Sequence, residues 1–556
     1  MSVMAGLCKL VDACKLFELD VSGFKSLKKV KVTFPDSLTI VVGSNGSGKT
    51  ALTEVFELLK ELLRWKRRQS PDPFLKWGGY RNVVWARQKN LPIKIGFRLD
   101  VRNVLNVFSK ISEEEESLSL EYFRDVARKM STIGYEVKIM GDTTTVISDK
   151  LCLNKFGIDI VVNNGKAKFK IIDYQLFEKA IRKIKEETEK NLLSMLQKPE
   201  KDVLAIIFDL YFKELVSFDY KKLLSELERF QKMNLDIRAS YLSDFLEEGV
   251  ENIIRMIKSE DFSFELGYDS IIDIGIDAVD DAKKGIDNFI ESFWENIRKN
   301  LMYNIVSLMS KRKSRQKKFP IVRIFCVLDF LRRFSDEMAL MISYSATLIA
   351  NYLERIIILK PLNYQKIKQL NIKSYANELD SDCSNLINFL HTTTDGSIPE
   401  HVLEVLKEIW NVKNLMIKFE DLPYGYISLN FEIEEKITII QASIPDGIWK
   451  ALAIEAAILS KPTMIIIDEF ENSLHARAQD LLLEELRNSD ALSIVTTHST
   501  IPLDFAKSLN EILVLELVNG ETKPWRMGEI KTVEKKLEEL GLTASEGLLY
   551  HFIKMK

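Results

Sequence analysis

The chain has 556 residues, of which 46% are hydrophobic and 29% charged, and its formal net charge is -3 at pH 7. That length exceeds what one compact core holds and predicts roughly two or three domains. The near-neutral charge balance excludes a global basic field, so any nucleic-acid contact must come from local patches. Five cysteines, Cys8, Cys14, Cys152, Cys326 and Cys383, form no CxxC pair. This argues against a zinc site or disulfide framework and for reduced thiols in the cytoplasm. Lys9, Asp12 and Lys15 interrupt the apolar residues of the N-terminus, so no signal peptide is expected. The longest apolar stretch, Met338 to Ala350, is shorter than the about 20 residues of a membrane span and reads as a buried helix.

In chain order, the first informative element is SLTIVV (Ser37–Val42), a short β-branched run of the kind a buried parallel strand carries. GSNGSGKT follows it, and then ALTEVFELLKELLRW (Ala51–Trp65), with apolar residues at helical spacing. Strand, glycine loop and helix together form the context in which GxxxxGK[ST] binds phosphate. Gly43, Ser44, Asn45, Gly46, Ser47 and Gly48 are expected to wrap the phosphates of ATP. Lys49 should reach the β- and γ-phosphates, and Thr50 should hold Mg²⁺.

Residues 93–175 read as strands, with NNGK (Asn163–Lys166) as a hairpin turn. From Tyr174 to Glu354 the pattern changes to long helices, first at Tyr174–Leu196. SKRKSRQKK (Ser310–Lys318) places Lys311, Arg312, Lys313, Arg315, Lys317 and Lys318 together, and RWKRR (Arg64–Arg68) is a second basic cluster. Either could neutralise nucleic-acid phosphates or be a solvated loop. The run Glu113–Glu116 reads as a solvated loop.

Near the end, TMIIIDEFENSLH (Thr463–His475) is an apolar strand delivering Asp468 and Glu469 at its carboxyl end. Asp468 is placed to bind Mg²⁺ and Glu469 to act as general base on the attacking water. ALSIVTTHST (Ala491–Thr500) is another apolar strand, ending in Thr497 and His498. A strand-end histidine in such a sheet lies near the bound phosphate, and His498 is expected to contact the γ-phosphate or the water.

This order of motifs resembles the ABC-type ATPase heads of the SMC, RecF and OLD group, most closely the AAA-labelled ATPases of bacteria and archaea. KLFELDVSGFKSLKKVKVTF (Lys15–Phe34) looks like the opening hairpin of those heads. GGYRNVVWARQK (Gly78–Lys89), DSDCSNLINFLH (Asp380–His391) and IDEFENSLH are similar to family wording. The resemblance implies an α/β fold: a P-loop NTPase of ABC-ATPase type with a β-rich lobe and a large inserted helical domain. The expected parts are residues 1–92 and 355–556 as the two halves of the head, 93–175 as its β-lobe, and 176–354 as the helical insert or short arm. The insert carries no sustained heptads and no CxxC hook. The stretch after Thr500 is too short for the Toprim nuclease domain of OLD-type proteins.

In the family, a signature serine and glycine from a second protomer touch the γ-phosphate of the first. Here SIPDGIWKALAIEAAIL (Ser443–Leu459) has Pro445 in the serine's place, while Asp446 and Gly447 remain. Gln88 is the one nearby residue for the glutamine that senses Mg²⁺, and an exposed turn glutamine is an equal alternative reading of it. The resemblance implies an ATPase that forms a homodimer around ATP and Mg²⁺, acts on DNA, and is cytoplasmic, nucleoid-associated if it binds DNA. The rival reading is a defence sensor that restrains a separate nuclease or toxin as its effector protein.

Overall fold

The computed structural model describes residues 11, 14–35, 37–103, 131–141, 145–153, 157–163, 165–196, 263–265, 268–280, 338–339, 341–434 and 437–549. The cluster 310–318 and the acidic run 113–116 lie outside them. The chain divides into two compact units, one of residues 1–111, 136–146 and 348–556, the other of 112–135 and 147–347.

The first unit is built on a six-stranded sheet. Its strand order is Ile356–Leu359, Met464–Ile467, Leu492–Thr497, Leu38–Gly43, Ile512–Val518 and Glu521–Arg526. The first five strands are parallel and the last is antiparallel. Helices cover a parallel sheet on both faces, which is why these strands read as unbroken apolar runs. Met464–Ile467 and Leu492–Thr497 are buried at every position. The helix Ala476–Asn488 links them as a crossover and buries Leu482, Leu483 and Leu486 in the core.

A hairpin opens the unit. Lys15–Phe24 pairs antiparallel with Leu27–Thr33 and, on its other side, with Ile93–Asp100. Gly23, next to last in the first strand, has φ +79°, and a Cβ there would stand 2.6 Å from the Pro92 carbonyl oxygen, so this glycine of GFKS is required by close approach. A smaller antiparallel sheet of Asn371–Ile372, Tyr426–Ile433, Leu415–Leu422 and Ile437–Ile439 completes the unit.

In the second unit, Val146–Leu153, Ile158–Asn163, Lys166–Ile171 and Ser263–Glu265 pair antiparallel in sequence. The NNGK turn closes with Asn163 opposite Lys166 and Gly165 at φ +75°. The helix Tyr174–Leu196 forms over the range its periodicity predicts. The Asp149 carboxylate accepts from the backbone N–H of Ile271 (2.8 Å) and Ile272 (3.3 Å), capping the helix Ile271–Asp280, and from the Tyr135 hydroxyl (3.1 Å). Burial pushes its carboxyl up to about 7.

Residues 341–354 are helical, and the described part of the Met338–Ala350 stretch is buried. Among the described residues no helix is long and apolar enough to cross a membrane.

Candidate functional site

The glycine loop leaves the end of Leu38–Gly43 and enters the helix Lys49–Lys66. A Cβ on Gly43 would meet the Leu515 carbonyl oxygen at 2.3 Å. Gly48, at φ +104°, would bring one to 2.3 Å from the Thr522 hydroxyl. Side chains are thus excluded at both positions by neighbouring elements, and at Gly48 by backbone conformation as well. Thr522 anchors the loop: its hydroxyl lies 2.8 Å from the Ser47 carbonyl oxygen and 2.8 Å from Ser26 Oγ of the hairpin turn. Ser44, Asn45, Gly46 and Thr50 are exposed, whereas Ser47 is buried.

Lys49 is almost fully buried and folds back on its own loop, its Nζ donating to the carbonyls of Gly43 (2.6 Å) and Ser44 (3.2 Å). Burial lowers the pKa of its ammonium, against the opposing charges of Glu471, Asp468 and Glu469. The loop lysine and the acidic strand end therefore share one electrostatic site, although they are more than 400 residues apart in the chain.

The strand order decides how they meet. Leu492–Thr497 lies between the P-loop strand and the acidic strand, with Thr497 opposite Val42. Asp468 continues the acidic strand, its N–H donating to the Leu359 carbonyl (2.8 Å). The buried Thr496 hydroxyl donates to Asp468 Oδ1 (2.5 Å) and accepts the Glu469 N–H (3.0 Å), while the Thr496 carbonyl accepts the Phe470 N–H (2.9 Å). Glu469 sits in the left-handed region at φ +52°, a strained conformation for a non-glycine residue that its surroundings must impose. The Asn472 amide donates to its carboxylate at 2.6 Å. His498 is exposed, and its backbone N–H donates to Glu471 (2.7 Å).

The signature segment becomes a helix, Asp446–Leu459, with Pro445 as its N-cap. Asp446 is ion-paired to Lys368 at 2.7 Å. A Cβ on Gly447 would stand 2.6 Å from the Ser473 carbonyl oxygen, so the start of this helix packs directly on the loop after the acidic pair. Ser443 is exposed at the end of the turn Gln441–Ser443.

Gln88 is exposed and follows Ala86 and Arg87, both left-handed. In the RWKRR cluster the structure occupies two of the cations: Arg64 pairs with Glu61 and Glu378, each at 3.0 Å, and Arg67 with Glu354 at 2.7 Å. Pairing of this kind weakens the phosphate-neutralising reading of that cluster. Sequence reading passed over Thr496, Asn472, Glu471 and Lys450. The one local signal was the Thr496–Thr497 pair closing a strand that is buried at every position.

The residues present fit a nucleoside triphosphate with Mg²⁺. Ser44, Asn45 and Gly46 are exposed ahead of a helix N-terminus, an arrangement that suits a phosphate, and the Lys49 ammonium lies against the carbonyls of the same loop. Among the described residues no group of three His, Cys, Asp or Glu could hold a metal ion alone. Mg²⁺ in such sites takes one or two carboxylates, a hydroxyl and phosphate oxygens, which Asp468 and Thr50 match.

Fold and site together define a P-loop nucleoside triphosphatase. The family model described as AAA ATPase domain matches residues 15–501, and the chain belongs to that family. Among solved structures, the Smc head domain of Pyrococcus furiosus, with an extended coiled coil and bound to the C-terminal domain of ScpA, is 12% identical; the match covers 95% of this chain and 100% of that one, at a TM-score of 0.36. The Smc head domain of Pyrococcus yayanosii, with a coiled coil and joint, is 14% identical over 95% and 100%, at 0.36. The SMC head domain of Thermotoga maritima is 10% identical over 92% and 98%, at 0.32. No curated protein matches the chain.

Proposed function

We propose that this ATPase is a slow switch: two copies close around ATP, act on DNA while closed, and part on hydrolysis. The observation that carries the reading is the signature helix. Its start at Asp446–Gly447 is half-exposed, as a backbone donor site for a phosphate must be, and it packs on the loop that follows Asp468 and Glu469.

In this reading the loop Gly43–Thr50 binds the triphosphate of one copy, and Asp446–Gly447 of the second copy caps its γ-phosphate. Lys49 moves from the loop carbonyls to the β- and γ-phosphates. Thr50 and Asp468 would hold Mg²⁺, with Gln88 as a further ligand, and the bound ion would supply charge stabilisation to the phosphate oxygens. Glu469, aimed by its left-handed backbone and by Asn472, takes a proton from the attacking water, and His498 orients the γ-phosphate. Losing the γ-phosphate removes the contacts that hold the two copies together, which makes the closed dimer a two-state element. Lys311, Arg312, Lys313, Arg315, Lys317 and Lys318 supply the phosphate-binding charge for DNA.

The test is DNA binding by purified Glu469→Gln with and without ATP and Mg²⁺, beside Lys49→Ala, with mass followed by light scattering. ATP-dependent binding with a shift to dimer supports the clamp. Dimerisation without DNA binding refutes the DNA part and points to a protein effector.

A further inference from the structure

Lys450 lies on the signature helix Asp446–Leu459, one turn after Gly447, and is 0% exposed. A lysine taken wholly out of water is costly, so it persists only where something compensates for burial. Among the described residues its one hydrogen bond is from Nζ to the carbonyl oxygen of Glu469, at 3.3 Å. Burial lowers its pKa, and Cys383, Glu471, Glu469 and Asp468 oppose that by favouring the charged form. The bond therefore runs from the signature helix to the peptide that links the two acidic residues to their loop.

That peptide needs holding. Glu469 is at φ +52°, where an L-residue pays of order 1–3 kcal/mol unless its surroundings enforce the conformation. Three residues enforce it: Thr496 accepts the Glu469 N–H and, at its own carbonyl, the Phe470 N–H; Asn472 donates to the carboxylate from its amide and to the carbonyl from its backbone N–H (3.2 Å); and Lys450 donates to that same carbonyl. The first comes from the neighbouring strand and the second from the same loop. Lys450 alone comes from the helix whose first residues are offered to a second copy.

We propose that Lys450 is a positioning residue for hydrolysis, which fixes the peptide of Glu469 in its left-handed turn and so couples the general base to the signature helix. This rests on the reading of Glu469 as the base. Misplacing a reacting group by about 1 Å costs up to about 100-fold in rate while leaving ground-state binding intact.

The test is steady-state ATP turnover, nucleotide affinity and thermal melting of the full chain carrying Lys450→Met, which keeps the unbranched apolar stem and loses the ammonium donor. The expected result is a folded protein with KM and ATP affinity within about threefold of the parent and kcat lowered by roughly tenfold or more. Parental kcat in folded Lys450→Met overturns the proposal. So does a folded variant that loses affinity and kcat together, because that is the mark of a packing role. Should Lys450→Met not fold, Lys450→Gln, whose amide is too short to reach the same carbonyl, is read by the same criteria. Glu469→Gln is run alongside. If it turns over at the parental rate, the base assignment falls and the proposal with it; if it is inactive while Lys450→Met is parental, only the proposal falls.

Discussion

Thr496 holds both acidic residues of the site with one hydroxyl: it donates to Asp468 Oδ1 at 2.5 Å and accepts the Glu469 N–H at 3.0 Å. Replacing it by valine preserves shape and removes both bonds, leaving a buried carboxylate oxygen and an N–H without their partner. Each such orphan costs about 1–3 kcal/mol. Thr496→Val should melt earlier than the parent, need more Mg²⁺ for half-maximal turnover, and turn over at least about tenfold more slowly. Magnesium titration of the ATPase rate checks this; an unchanged Mg²⁺ requirement would mean that Asp468 does not depend on Thr496 for its metal-binding geometry.

Lys49 already donates to the Gly43 and Ser44 carbonyls, so its ammonium is held where phosphate oxygens would arrive. Lys49→Ala should weaken ATP binding by about 100-fold or more, equivalent to ~2.7 kcal/mol. Calorimetric titration with ATP and Mg²⁺ measures it directly. Affinity within threefold of the parent would count against the loop as the triphosphate site.

Gly447→Ala tests the packing of the signature helix on the acidic loop. The added methyl would lie 2.6 Å from the Ser473 carbonyl oxygen, so helix or loop must give way, at a cost of about 1–3 kcal/mol. ATP affinity, set by the P-loop, should stay near parental while turnover falls severalfold. Single-turnover hydrolysis separates the two quantities, and a parental rate would show the contact to be slack.

Glu455 sets an expected pH dependence of stability. It is 0% exposed on the signature helix with neither carboxylate oxygen hydrogen-bonded. Burial first, and then the charge of Glu485, raise it from the ordinary 4.5 to about 8. A carboxyl with a raised folded pKa binds its proton in the native state while the unfolded chain has released it. Its contribution is thus complete below pH 4.5 and is lost as pH rises from there through 8. Glu455→Gln cannot ionise, so it should melt above the parent at pH 8.5, with the gap narrowing towards pH 5. Melting curves across that range decide it; a gap independent of pH would mean that Glu455 is not the titrating group.

What could be read directly from the chain was whatever a contiguous stretch determines. Ser37 to Trp65 holds strand, phosphate loop and helix in one covalent run, and Thr463 to Glu469 holds a buried strand with its acids at the end. Local periodicity and composition suffice there, because the groups that act together are neighbours in sequence. The same holds for the helix at Tyr174–Leu196 and the turn at Asn163–Lys166.

The remainder depended on pairing across the chain. Only the folded sheet inserts Leu492–Thr497 between the P-loop strand and the acidic strand, and so turns Thr496 from an ordinary strand residue into the support of Asp468 and Glu469. Only packing decides that Arg64 and Arg67 are taken up by carboxylates, that Glu455 is sealed from water, and that Lys450 reaches the Glu469 carbonyl. A hydrogen bond between distant residues leaves no periodic trace in sequence. The tertiary fold brings its two ends together, and loss of solvent makes each such bond matter.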